Sequence, residues 1–263
     1  MVPHQVKGIA TDVGNTVIPF NFECVVERFC TYTGLPPQVI DQFFADTRPA
    51  LERGNDPLTF KPLDTSDRVR AFEQALLALY HMFIESVNEE RKKRGRQEFR
   101  EPVVTVEKFY HVFADNVSWY DKKRAEFLKK LSKRYRIALV TNMDPIHLYH
   151  LANPRMTSTL LGDKFSRNPT GMMFESYPVI ASCEVRACKP EPAMWERTAE
   201  VLNLSPEEII FVDDSETNVN GWIEHWRKKG IKSRGILAVA FNFYRIVRSL
   251  AAEGVVWDGM EVR

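Results

Sequence analysis

Short apolar runs, each ending in polar residues and followed by helical spacing, recur in two parts of the chain, 1–20 and 121–263. That alternation predicts βα units, and hence a parallel sheet with helices packed on it. The predicted strands are 6–11, 136–140, 178–181, 209–212 and 235–241. The stretch 21–120 lacks the alternation and reads as wholly α-helical. Within it, Val69, Phe72, Leu76, Leu79, Tyr80, Phe83, Ile84 and Val87 fall three and four residues apart, one apolar stripe on a long helix over 65–94, with Thr65 or Ser66 as its N-cap. The expected architecture is an α/β fold: a Rossmann-like, doubly wound parallel sheet formed by 1–20 and 121–263, with a helical domain, 21–120, inserted after the first strand. The segment 153–171, with its Pro, Gly and Thr/Ser clusters, reads as an elaborated surface connection.

Composition narrows the class without naming a partner. The 263 residues are 44% hydrophobic and 27% charged with a net charge of +1, which describes a globular chain long enough to bury its own core. So small a balance argues against a dedicated nucleic-acid binder. No apolar run approaches the roughly 20 residues that span a bilayer, and the first residues lack the pattern of a signal peptide, so the expectation is a cytoplasmic protein with no membrane partner. Cys24, Cys30, Cys183 and Cys188 have neither disulfide-framework nor zinc-knuckle spacing. The insert carries 13 Lys and Arg against 16 Asp and Glu, net −3, which leaves +4 on the remainder. Its basic knot at Arg91, Lys92, Lys93, Arg94 and Arg96 reads as a solvated helix end, with a patch for an acidic ligand as the alternative.

Candidate chemistry lies where the strands end. In an open parallel sheet the loops at the carboxyl ends of the strands converge, so polar residues placed there become neighbours. Asp12 follows the first strand, with Gly14 two residues on; Thr141-Asn142 ends the second; Lys189-Pro190 follows the third; Asp213-Asp214 ends the fourth. Adjacent carboxylates repel, and such a pair persists best beside a hard cation. Asp12 and Asp214 together suit Mg²⁺, Lys189 would screen them or meet a phosphate oxygen, and the helix opening at Asn142 offers amides to an anion.

Asp-x-x-Asn-Thr, apolar-Thr-Asn, Lys-Pro-Glu-Pro and apolar-Asp-Asp-x-x-x-Asn, in that order, resemble the four motifs of the haloacid dehalogenase-like hydrolase superfamily. Gly14, His147 five residues after Asn142, and Asp213-Asp214 with Asn218 look most like the subgroup of glucose-1-phosphatase-like enzymes and the N-terminal phosphatase domain of soluble epoxide hydrolases. The insert takes the position of that family's type 1 cap. The resemblance implies a Mg²⁺-dependent phosphatase acting on a small phosphorylated metabolite. Asp12 would be the nucleophile that becomes an aspartyl phosphate. The Asp12 carboxylate, the Gly14 carbonyl and Asp214 would hold Mg²⁺, with Asp213 as a further ligand or a supporting partner. Thr141, the Asn142 amide and Lys189 would grip the phosphate, and Asn218 would buttress the Asp214 loop.

At Gly14 the chain departs from most phosphatases of the superfamily, which carry a second Asp there as general acid. A positioned acid contributes typically ~10²–10⁴-fold. Three readings stay open: activity on substrates with good leaving groups, a proton donor supplied by the insert, or vestigial catalysis in a phosphate-binding or regulatory protein. His147 and His150 read as packing residues rather than a metal pair, as do Phe20, Phe22, Trp119 and Tyr120 at the ends of the insert and 241–244 after the last strand. Cys183 and Cys188 carry no redox assignment. Monomer and homodimer are equally compatible with the sequence.

Overall fold

The structure, a computed structural model, describes residues 5–18, 21–114, 122–152, 176–238 and 243–257. The chain divides into two compact units, one made of Met1–Pro19, Trp119–Asn142 and Met172–Arg263, the other of Phe20–Ser118 and Met143–Gly171.

The first unit is built on five strands, β1 (Gly8–Thr11), β2 (Arg136–Thr141), β3 (Val179–Ala181), β4 (Ile209–Asp213) and β5 (Arg234–Leu237), in the order β3-β2-β1-β4-β5. Every pairing is parallel. Chain order therefore reverses at β1, which has β2 on one side and β4 on the other, and this switch point is where an open α/β sheet forms its crevice. Register fixes who meets there: Thr11 lies opposite both Leu139 and Val212, so Asp12 emerges beside the ends of β2 and β4. The central strands are buried on both faces, which explains their continuous apolar runs. On one face Ala10, Ala138, Val140 and Phe211 pack against Met194 and Trp195 of a helix over Pro192–Leu202, and against Trp222 and Trp226 of another over Glu216–Lys228. Gly8 permits close packing in β1, since a Cβ there would stand 2.6 Å from Leu204 Cδ1.

The second unit holds four helices of the insert, α1 (Glu23–Thr33), α2 (Pro37–Glu52), α3 (Arg68–Lys93) and α4 (Val106–Ala114). Phe29, Phe43, Phe44, Phe83, Phe109 and Phe113 interlock in its core with ring centroids 4.6–6.2 Å apart. The expected stripe on α3 is present: Phe72, Leu76, Leu79, Tyr80, Phe83 and Val87 are all buried. Its cap is Asp67, whose side chain accepts from the Arg70 N–H at 3.1 Å, rather than Thr65 or Ser66. The Ser66 hydroxyl is turned to Asp64. At the other end the basic knot has structural tasks. Arg94 pairs with Glu90, Arg91 lies 3.9 Å from the Phe99 ring centroid, and Arg96 donates to the Gly34 carbonyl that ends α1.

Among the described residues the helical unit also takes 143–152, which a division of the chain at 121 assigns to the sheet. The reason is packing. After α5 (Lys122–Leu131) and β2 comes α6 (Pro145–Ala152), and its Ile146 and Tyr149 join the core of the insert, Tyr149 stacking on Phe72 at 4.0 Å. In the sheet unit, α7 (Ser182–Val185), α8 (Pro192–Leu202), α9 (Glu216–Lys228) and α10 (Phe243–Ala252) complete the helices. Phe20, Trp119, Tyr120, 153–171, Phe241 and Asn242 lie outside the described residues. No helix among the described residues is long and apolar enough to cross a membrane.

Candidate active site

Asp12 leaves β1 still bonded to β4, its N–H donating to the Val212 carbonyl at 2.7 Å. The chain then turns tightly. Thr16 N–H donates to Gly14 O at 2.6 Å, and Asn15, with φ +53°, donates its N–H to Ile18 O. Left-handed backbone suits asparagine better than most side chains, and here it turns the Asn15 side chain onto the Asp214 carboxylate.

Lys189 is 6% exposed, and each of its three ammonium protons has an acceptor: Asp12 Oδ1 at 2.5 Å, Asp213 Oδ2 at 2.7 Å and the Val140 carbonyl at 3.0 Å. Asp213 is fully buried and equally committed, its Oδ1 accepting from the Ser215 N–H at 2.9 Å and from Asn218 Nδ2 at 3.0 Å. Asn218 thus buttresses the acidic loop through Asp213. Asp12, Asp213 and Asp214 offer carboxylate oxygens within 4.8 Å of one another, the only such cluster among the described residues.

Three carboxylates share one ammonium, and the imbalance bears on Asp12 and Asp214. Burial, reinforced by Asp213 and Asp214, outweighs Lys189 and lifts Asp12 to about 7. Burial and Asp213 likewise raise Asp214, while Asp12 and Asp213 outweigh desolvation to keep Lys189 charged above the ordinary lysine range. A divalent cation fits this donor set: hard oxygens, an uncompensated negative charge, and a partly exposed Asp214. Asp12 and Asp214 would be the carboxylates left to hold it, because Asp213 already accepts three hydrogen bonds.

The sequence-predicted residues Asp12, Gly14, Thr141, Asn142, Lys189, Asp213, Asp214 and Asn218 all belong to the sheet unit. Thr141 is buried, and its hydroxyl lies a long 3.5 Å from the Asn142 carbonyl. The Asn142 side chain is turned to the Lys189 backbone, accepting its N–H at 2.7 Å and donating to its carbonyl at 3.3 Å. His147 and His150 each have a protein partner. His147 lies between Asp144, 2.5 Å from its Nδ1, and the Phe113 carbonyl, 3.1 Å from its Nε2; His150 Nδ1 is 2.8 Å from the Tyr110 hydroxyl. Phe22 packs edge-on to Phe44. Cys183 is buried and Cys188 half-buried. Sequence reasoning missed Asn15, although asparagine beside Gly14 in a strand-end turn was its signal, and the Val140 carbonyl, for which no side-chain pattern exists.

The sequence and the fold are both similar to one family of known proteins. The family model for haloacid dehalogenase-like hydrolases matches residues 6–225. A HAD family enzyme of Bacteroides thetaiotaomicron, solved in complex with magnesium and inorganic phosphate, superposes with a TM-score of 0.59 at 18% identity, over 92% of this chain and 98% of that one. A predicted HAD-like hydrolase of Porphyromonas gingivalis gives 0.57 at 18% identity, over 94% and 98%. The L-2-haloacid dehalogenase of Xanthobacter autotrophicus, with chloropropionic acid covalently bound, gives 0.50 at 15% identity, over 96% and 85%. No curated protein matches the sequence significantly. The parallel sheet, the carboxylate cluster at its switch point and the family match over most of the chain agree: this protein belongs to the haloacid dehalogenase-like hydrolase family.

Proposed function

We propose that the chain is a Mg²⁺-dependent phosphatase that hydrolyses a small-molecule phosphomonoester through an aspartyl phosphate on Asp12. The observation that carries this reading is the cluster of Asp12, Asp213 and Asp214, of which the first two are buried and share one lysine. Such a cluster is out of charge balance without a cation, and metal-independent displacement of a halide has no use for it. The magnesium and phosphate bound by the Bacteroides enzyme support the same chemistry for this fold.

In this reading Asp12 and Asp214, with the Gly14 carbonyl, would hold Mg²⁺, which supplies positive charge to the phosphate oxygens and to the nucleophile. An Asp12 oxygen attacks phosphorus and the bond to the leaving oxygen breaks. Water then attacks the aspartyl phosphate, releasing inorganic phosphate and regenerating Asp12. Thr141 and the Asn142 N–H accompany the non-bridging oxygens, and Lys189 keeps the Asp12 carboxylate oriented and stabilises the charge. Gly14 brings no side chain to the leaving oxygen, so substrates whose leaving group departs as an anion are preferred: anomeric, acyl and aryl phosphates. The sequence features point within the family to the glucose-1-phosphatase-like subgroup. Gly14 also supports a second reading, a phosphate-binding protein without turnover.

A panel of p-nitrophenyl, anomeric sugar, acyl and alkyl phosphates, assayed with Mg²⁺ and with chelator, separates the two. Metal-dependent turnover that Asp12→Asn abolishes is expected. Phosphate binding without turnover on any substrate would establish the second reading.

A further inference from the structure

Lys189 belongs to the connection between α7 and α8, outside the sheet, yet its ammonium meets three acceptors at once. A four-carbon side chain reaches a fixed point reliably only when its own backbone is fixed. We propose that Asn142 is the positioning residue for Lys189, its carboxamide clamping the lysine's backbone to the end of β2. This rests on the reading of Lys189 as the partner of a nucleophilic Asp12.

The geometry is that of a peptide pairing with a peptide. Asn142 Oδ1 accepts the Lys189 N–H at 2.7 Å while Asn142 Nδ2 donates to the Lys189 carbonyl at 3.3 Å, so one planar amide engages both polar groups of one residue. Two residues earlier, within β2, the Val140 carbonyl accepts from the lysine's tip at 3.0 Å. The end of β2 thereby holds Lys189 at both ends. The next residue is secured independently: the Pro190 carbonyl accepts from Trp195 Nε1 at 3.1 Å, and Pro190 packs so closely on α9 that a Cβ at Gly221 would lie 2.5 Å from its Cβ. Since both functional atoms of the Asn142 side chain serve the backbone of Lys189, phosphate recognition at this position falls to the main-chain N–H.

The test uses the full chain. Reductive methylation of lysines with formaldehyde and a hydride donor is followed peptide by peptide by mass spectrometry in the wild type, Asn142→Ala and Asn142→Asp, with exposed Lys129 as internal reference. Steady-state kinetics on p-nitrophenyl phosphate with Mg²⁺ run beside it. In the wild type Lys189 should label far more slowly than Lys129. Loss of two hydrogen bonds in Asn142→Ala should speed Lys189 labelling by about tenfold or more and leave Lys129 unchanged. The same variant should lower kcat by roughly tenfold and change KM much less. Asn142→Asp keeps the acceptor and loses the donor, so it should fall between, and it makes the comparison alone if Asn142→Ala does not fold. Unchanged Lys189 labelling in a folded variant, or a raised KM at constant kcat as for a phosphate ligand, would overturn the proposal. A wild type that does not turn over p-nitrophenyl phosphate would count against the phosphatase reading on that substrate, while the labelling arm still decides the clamp.

Discussion

Replacing Asp12 by asparagine should stabilise the metal-free protein while abolishing turnover. Burial lifts the Asp12 carboxyl to about 7 from 3.8, so the unfolded chain releases this proton near pH 4 and the folded chain keeps it to near neutrality. Across that interval the folded state binds more protons, and stability falls as pH rises, by roughly 1.4 kcal/mol per unit. Summed over the interval, the cost of ionising Asp12 reaches roughly 4 kcal/mol above pH 7. This is a ceiling, because Lys189 loses a charged partner in the variant and keeps Asp213. Asparagine is neutral at every pH, so Asp12→Asn should match the wild type near pH 4 and exceed it by about 2–4 kcal/mol at pH 8 in chelator. Mg²⁺ should narrow the gap by stabilising the wild type, by about 2.7 kcal/mol at a hundredfold excess over its dissociation constant. Urea unfolding at pH 5, 6.5 and 8, with Mg²⁺ or chelator, measures every part of this. A variant less stable than the wild type at pH 8 in chelator would refute the reasoning, since the Lys189 pairing would then outweigh the cost of burial.

Three further outcomes follow from particular contacts. Gly221→Ala drives a Cβ to 2.5 Å from that of Pro190, so despite a better helix former it should cost about 1–3 kcal/mol in urea unfolding and slow turnover through Lys189. Asp144 is raised by burial but lowered further by the His147 ring and the His147 and Ile146 N–H groups, leaving it below its ordinary value. That contribution is present above pH ~4 and lost as pH falls through the lower folded value, so Asp144→Asn should destabilise by about 3 kcal/mol at neutral pH, a deficit that shrinks below pH ~4; a deficit constant down to pH 2 would contradict it. Gly14→Asp should raise kcat on alkyl phosphates by about tenfold or more, with little effect on p-nitrophenyl phosphate, in side-by-side assays.

What the chain announces in advance is what periodicity and residue type encode. The alternation of apolar runs yields the parallel sheet, and placing Asp12 and Asp213 at strand ends anticipates their closeness, because register sets the end of β1 beside the end of β4. The helical stripe of α3 is equally plain. Tertiary choices are not. Nothing in the spacing of 145–152 says that Ile146 and Tyr149 pack with the insert, and the cap of α3 depended on whether Ser66 spent its hydroxyl on Asp64. In the site, the resemblance implied that the Asn142 amide grips phosphate, while the task of its side chain, holding the Lys189 backbone, is one that no motif reveals.

The most direct test is to trap the reaction in progress. An enzyme–substrate mixture with Mg²⁺ is quenched in acid during steady turnover of an acyl or aryl phosphate, digested at low pH, and searched by mass spectrometry for an added phosphoryl group. The account predicts that modification on the peptide containing Asp12, absent in chelator and absent in Asp12→Asn. Sustained turnover with the phosphoryl group on another residue, or undiminished turnover by Asp12→Asn, would contradict it.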